Sequence, residues 1–254
     1  MPEPSEVSRA PGDKVILVLR AGDAIAEVAA DHGEFTSWIK RAVGDVWRGG
    51  WAEHDLRTDN PAPDAKSYAA VLITGSIASV TERAAWMERA AEYIRGVVAA
   101  RTPLLGICFG HQLIAYALGG DVQRNPRGRE IGTVALASAV EDPLLVGLPR
   151  LIAVNSSHVD TVSVLPPGAI VVARTELDEH AILSFGESVR GVQFHPEMDD
   201  RVMRGYVHAR RACLAEAGLD ADAILSQASD TPIAREVLRN FIRNFVLASL
   251  RNAA

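Results

Sequence analysis

Apolar residues fall along this chain in two textures. Residues 14–19, 68–73 and 104–107 are short, nearly continuous apolar runs, among them Val15, Ile16, Leu17, Val18 and Leu19. Such runs are the pattern of strands covered on both faces. Between them the spacing turns helical. Over 83–101, Trp86, Met87, Ala90, Ile94, Val97 and Val98 recur at three- and four-residue intervals, with Glu88, Arg89, Glu92 and Arg95 between them. That periodicity predicts one amphipathic helix. Residues 24–32 and 34–43 have helix-compatible composition. A helix over 109–118 ends at Gly119-Gly120, as a glycine just past a helix end does.

After residue 120 the texture changes. Short strand candidates at 121–123, 131–136, 151–155, 169–173, 181–185 and 189–194 are separated by turns, with one brief helix around 142–147. Helices are then expected over 200–217, 220–228 and 233–250. Strand–helix alternation followed by hairpins predicts an α/β fold: three layers, a mostly parallel central sheet and a hairpin-rich extension. No repeat or low-complexity linker divides the chain, so we expect one domain, with a core over about 14–198 and a C-terminal helical extension over about 200–250. Residues 44–58 give a mixed signal broken by Gly49-Gly50. Trp38, Trp47 and Trp51 cluster near there and read as core or lid packing. Residues 1–12, rich in Pro, Glu and Ser, read as a flexible start.

Composition narrows the class. At 254 residues and 48% apolar content, the chain can bury a sizeable core. Two cysteines, Cys108 and Cys213, argue against a disulfide scaffold and suit a reducing, cytoplasmic setting. No apolar run approaches a membrane span, and the start lacks a signal-peptide pattern. A net charge of −6 without a basic block speaks against nucleic acid as a partner.

Candidate chemistry concentrates in two segments. Gly106-Ile107-Cys108-Phe109-Gly110-His111-Gln112 sits at a predicted strand-to-helix corner. A helix start there supplies unpaired N–H groups and a positive dipole end, which favour a thiolate. The glycines leave room for a tight turn and an approaching carbonyl. The Phe109 N–H is placed as half of an oxyanion hole. The same segment equally fits a small buried cysteine in a βα unit. Far downstream, His195-Pro196-Glu197 follows a strand candidate. In an extended stretch, residues two apart face the same way, so Glu197 can orient the His195 imidazole as the base such a thiol needs. His195 and Glu197 could instead ligate a metal with His111 or His158, but neither an HExxH spacing nor a paired CxxC is present. The nucleophilic arrangement needs fewer assumptions, so no metal and no cofactor are expected. Cys213 reads as a buried helix residue.

Together these motifs resemble the class I (triad-type) glutamine amidotransferases, in particular stand-alone proteins similar to the glutaminase domain of GMP synthase. The likeness runs over roughly residues 14–198 and includes Asn125-Pro126-Arg127-Gly128-Arg129-Glu130-Ile131-Gly132. It implies a flavodoxin-like sheet and a Cys108–His195–Glu197 triad that hydrolyses glutamine or another γ-glutamyl amide through a thioester. It further implies backbone oxyanion donors at Ser76 and Phe109, and substrate contacts from Gly75, Gln112, Ser157, His158 and Val159. Ser76 and Ile77 stand where the family's oxyanion loop usually has glycine and proline. The roughly fifty residues after the core cannot hold an ATP-using synthase domain, and no GxxxxGK[ST] loop is present. The implied partners are therefore a small-molecule substrate and either no further protein, a separate synthase subunit that takes the ammonia, or a second copy in a homodimer. The remaining alternatives are a non-catalytic regulatory protein that keeps the fold and an enzyme that runs a different thiol chemistry on the same scaffold.

Overall fold

The computed structural model describes residues 14–252. The flexible start expected over 1–12 lies outside the described residues. Five strands form the parallel part of the sheet: β1 (Val15–Arg20), β2 (Gly50–Asp55), β3 (Ala70–Ile73), β4 (Leu104–Ile107) and β11 (Val189–Val192). The continuous apolar runs divide between two helical layers because successive side chains point to opposite faces. Ile16, Val18, Leu72, Leu105 and Ile107 enter one core with Ile39 of α2 (Phe35–Val43) and Phe241 of α8 (Pro232–Phe241). Leu17, Leu19, Val71, Ile73 and Leu104 enter the other with Met87 and Ile94 of α3 (Ala85–Ala99) and Leu113 of α4 (Phe109–Ala117). This is the expected three-layer α/β arrangement. Gly119 ends the α4 segment with φ 95°, a conformation that favours glycine.

The extension continues the sheet through antiparallel β10 (Ile182–Ser184), β9 (Ile170–Arg174), β6 (Glu130–Ser138) and β7 (Leu151–His158). The full order is β2-β1-β3-β4-β11-β10-β9-β6-β7. Two strands differ from the sequence reading. β2 occupies the sheet edge, half-exposed, and its Glu53, His54 and Asp55 hide the apolar signal. β8 (Asp160–Val164) pairs with β5 (Asp121–Arg124) in a separate two-stranded ribbon rather than joining the main sheet.

Helical segments also differ in detail. The expected 142–147 helix is a single 3-10 turn at Pro143–Leu145. The expected 200–217 helix is two, α5 (Asp200–Ala209) and α6 (Arg211–Glu216), separated at Arg210. The last one passes through a π-helical stretch, Ile242–Val246, into α9 (Leu247–Asn252). With α1 (Ala26–His32) and α7 (Ala221–Gln227), the α5 and α6 helices close a third apolar cluster around Trp38, Met203 and Tyr206. Trp38 and Trp47 are buried and Trp51 packs half-buried on the core, as expected of packing residues.

Candidate active site

Cys108 forms the corner between β4 and α4 with φ 51° and ψ −103°. A positive φ is strained for a residue with a Cβ, and it persists where the surroundings hold it. Here the Cys108 N–H donates to the Val192 carbonyl at 2.8 Å, and the Gln112 N–H closes the first turn of α4 on the Cys108 carbonyl at 3.1 Å. The flanking glycines serve this corner differently from the sequence reading. A Cβ on Gly106 would lie 2.4 Å from the Gly110 carbonyl group, and one on Gly110 would lie 2.5 Å from the Ile73 carbonyl oxygen. They let α4 seat against β4 and β3 rather than chiefly clearing space for substrate.

His195 reaches the same place because β11 lies beside β4, with Val192 paired to Ile107. Residues that follow the two strands therefore emerge together at their carboxyl ends, the usual ligand-binding side of an open α/β sheet. His195 Nδ1 sits 2.8 Å from Glu197 Oε1, with both residues buried. The imidazole stacks on Phe35 at 6.2 Å between ring centres, and Gly75 packs so closely that a Cβ there would lie 3.0 Å from His195 Cε1. Burial opposes charge on His195, but the Glu197 carboxylate and the Cys108 sulfur outweigh it and raise its pKa to about 10. Burial likewise opposes the Cys108 thiolate, yet the charge and hydrogen bond of His195, with His158 behind them, hold the thiol below its ordinary value. Both shifts favour the thiolate–imidazolium form of the pair over the neutral one.

A second buried network flanks the sulfur. His158 places Nε2 3.1 Å from Glu130 Oε2 and Nδ1 2.9 Å from the Asp160 carbonyl oxygen. Glu130 also accepts from Thr175 Oγ1 at 2.6 Å and Ser156 Oγ at 3.1 Å. Burial works against the charge on His158, while Glu130 and Asp178 raise its pKa. The adjoining Ser157 carbonyl oxygen lies 4.0 Å from Cys108 Sγ.

Ser76, Cys108, Phe109, Gln112, Ser157, His158 and Val159 line one cavity of about 340 Å³. Gly75 is not on its wall but backs the imidazole. The Ser76 hydroxyl accepts from the Ala78 N–H at 3.1 Å, which pins the loop locally. Gln112 already spends its amide donors inside the protein, on the Asp160 carbonyl at 2.9 Å and Gln193 Oε1 at 3.0 Å. Gln193, unnoticed in the sequence, points Nε2 at Cys108 Sγ from 3.6 Å. It follows β11 directly, two residues before His195, and that closeness to the motif was the available signal. Cys213 is exposed on the cavity wall, contrary to its expected burial. His111 does not join the site. It is a buried residue of α4 that faces Gly191 of β11, and burial depresses its pKa to about 3.

This arrangement of fold and strand ends agrees with what known proteins show. The model of the family described as glutamine amidotransferase class-I matches residues 30–211, more than half of the chain. The chain belongs to the class-I glutamine amidotransferase family. Among its curated relatives, a GMP synthase [glutamine-hydrolyzing] of Thermosipho melanesiensis is 37% identical over 175 residues, 67% of this chain and 32% of the relative. The chain thus spans about a third of the first such synthases it matches. A separate glutamine-hydrolyzing GMP synthase subunit from Methanosarcina acetivorans is 33% identical over 175 residues, 67% of this chain and 86% of the relative. The fold is that of a glutamine amidotransferase of Thermotoga maritima, with a TM-score of 0.71, 23% identity, and coverage of 92% of this chain and 98% of that one. Among the described residues, no helix is long and apolar enough to cross a membrane. Nor is any group of three or more His, Cys, Asp and Glu side chains among them arranged to hold a metal ion.

Proposed function

We propose that this amidotransferase hydrolyses the side-chain amide of glutamine or of another γ-glutamyl amide through a γ-glutamyl thioester on Cys108. The observation that carries this reading is the buried His195–Glu197 contact at 2.8 Å, set beside Cys108 at the carboxyl ends of β11 and β4, with shifts that favour thiolate and imidazolium in support. The thiolate attacks the γ-carbonyl carbon, and the developing oxyanion is received by the backbone N–H groups of Phe109 and Ser76. His195 imidazolium then gives its proton to the departing nitrogen, and the C–N bond breaks. Water, deprotonated by the now neutral imidazole, attacks the thioester and releases glutamate. Glu197 fixes the tautomer by holding Nδ1, which leaves Nε2 for proton transfer. In this reading Gly75 backs the imidazole, while Gln112, Ser157, His158 and Val159 shape the acyl pocket.

A second reading makes the protein an ammonia donor for a separate synthase chain. It is favoured by the 86% coverage of a relative that is itself called a synthase subunit. Purified protein should release glutamate and ammonia from glutamine, or from γ-glutamyl amides, and intact-mass measurement should trap the acyl group on Cys108. Cys108→Ala should reduce turnover by roughly 10⁴-fold or more. Full activity in C108A would overturn the mechanism, whereas silence until a synthase is added would favour the second reading.

A further inference from the structure

Gln193 stands against the nucleophile because of how two neighbouring strands end. The Cys108 N–H donates to the Val192 carbonyl, so the residue after β11 emerges beside the sulfur. The Gln193 N–H donates in turn to the Ala181 carbonyl at 2.8 Å, which fixes its backbone on the sheet. The residue is 1% exposed, and its Nε2 meets Cys108 Sγ at 3.6 Å and no oxygen acceptor among the described residues. Shielded from water, that amide group has the sulfur as its partner.

Which end of the Gln193 amide faces the sulfur is set by a chain of hydrogen bonds. The chain starts at the Asp160 carbonyl oxygen, which can only accept. The Gln112 group 2.9 Å from it is therefore the NH2. The same NH2 lies 3.0 Å from the Gln193 amide, so the atom it meets there is Oε1. Nε2 is then left for Cys108. Reversing Gln193 would set NH2 against NH2, and reversing Gln112 would set its oxygen against the Asp160 carbonyl. A thiol sulfur is a weak acceptor, whereas a thiolate takes a charge-assisted hydrogen bond. A donor whose polarity is fixed in this way favours the anion.

We propose that Gln193 is a catalytic residue that donates a hydrogen bond to the Cys108 thiolate, with Gln112 as the positioning residue that aims it. Its catalytic meaning rests on the amidase reading. Sulfur gives up its charge when it bonds to the γ-carbonyl carbon. When water opens the thioester, one water proton passes to His195, the oxygen bonds to that carbon, and the C–S electron pair returns to sulfur. The products are the γ-carboxylic acid of glutamate, the imidazolium and the thiolate, whose charge the Gln193 N–H receives again. The charges that act on the sulfur are those of His195 and Glu197 after β11 and His158 of β7, while Arg124, Arg129, Arg210 and Asp160 wall the same cavity. Gln193 and Gln112 are neutral, so replacing either removes a hydrogen bond and changes no charge.

The test follows alkylation of Cys108 by iodoacetamide against pH, read by intact mass. A Cys213→Ser background leaves Cys108 as the one cysteine of the chain. The midpoint of the profile reports ionisation of the thiol, and its plateau reports access. Gln193→Met keeps the length of the side chain and removes the donor. It should raise the midpoint by about one pH unit or more, and the acid limb of kcat/KM for glutamine should rise with it. Gln112→Met frees the Gln193 amide to turn and should move the midpoint the same way by less. An unmoved or lowered midpoint in Gln193→Met would overturn the proposal. If that variant does not fold, the same result in Gln112→Met would do so. Alkylation needs no turnover, which separates the two readings. A raised midpoint with no hydrolysis of any amide by the wild-type protein would keep the donor and sink the amidase reading. Hydrolysis with an unmoved midpoint would sink the donor alone.

Discussion

Replacing Gly110 with alanine should weaken both the fold and turnover, by amounts the geometry sets. The new methyl group would lie 2.5 Å from the Ile73 carbonyl oxygen, 2.8 Å from its Cβ and 3.0 Å from its carbonyl carbon. Ordinary contact begins near 3.4 Å, so α4 must retreat from β3 by about 0.9 Å, the difference between 3.4 and 2.5. Side-chain rotation cannot absorb this, because the nearest atom belongs to the backbone of a central strand. Overpacking of this kind costs about 1–3 kcal/mol, offset by a helix-propensity gain of up to about 1 kcal/mol. A net loss of up to about 2 kcal/mol lowers Tm by up to roughly 8 °C in a chain of this size. Cys108 begins the same helix, and a misplacement near 1 Å at a reacting atom predicts a kcat loss of roughly 100-fold. Gly96→Ala is the counter-experiment. Gly96 is exposed within α3, with nothing within 4 Å of a new Cβ. It should gain about 0.5–1 kcal/mol and leave kcat unchanged. Thermal unfolding and turnover of γ-glutamyl methylamide measure both variants. A Gly110→Ala protein that melts at or above the wild-type temperature with kcat intact would refute the packing argument.

Two further outcomes follow from the buried ion pairs. Because His195 is raised to about 10, its contribution to stability is fully present below the ordinary imidazole value and is lost as pH rises through about 10. The depressed Cys108 contributes above the ordinary thiol value and loses that contribution as pH falls through its lowered pKa. Turnover should therefore hold across neutral pH and fall on the alkaline side as His195 loses its proton. In C108A the His195 titration, followed by imidazole NMR, should move down, and an unmoved titration would break the coupling. Glu130→Gln removes the nearer of the two carboxylates facing the buried His158, and breaking such a pair costs about 3–5 kcal/mol. The Tm should drop by roughly 6–20 °C, and an unchanged melting temperature would mean that His158 is neutral in the folded protein.

What could be read from the sequence, and what could not, divides along physical lines. β1, β3 and β4 announce themselves because both faces are covered and nearly every position is apolar. β2, at a half-exposed edge, and β8, in a detached ribbon, have no such demand on their composition. Cys108 and the His195–Glu197 pair are legible because each sits in a short motif whose backbone setting is local. Glu130 lies within the 125–132 motif, but its partners Ser156, His158 and Thr175 come from separate segments of the chain. The arginine wall is harder still to read, since Arg124 ends β5, Arg129 precedes β6 and Arg210 stands between two helices. The helical periodicity over 200–217 runs smoothly across Arg210, so nothing local marks the break there. In the fold, Arg210 leaves helical geometry at φ −102° and ψ 9° and lines the cavity beside Ser157. A continuous helix through that point would carry the following residues, Cys213 included, along a different line. The substrate-facing wall therefore depends on a helix interruption as much as on residue identity, and spacing alone does not encode it.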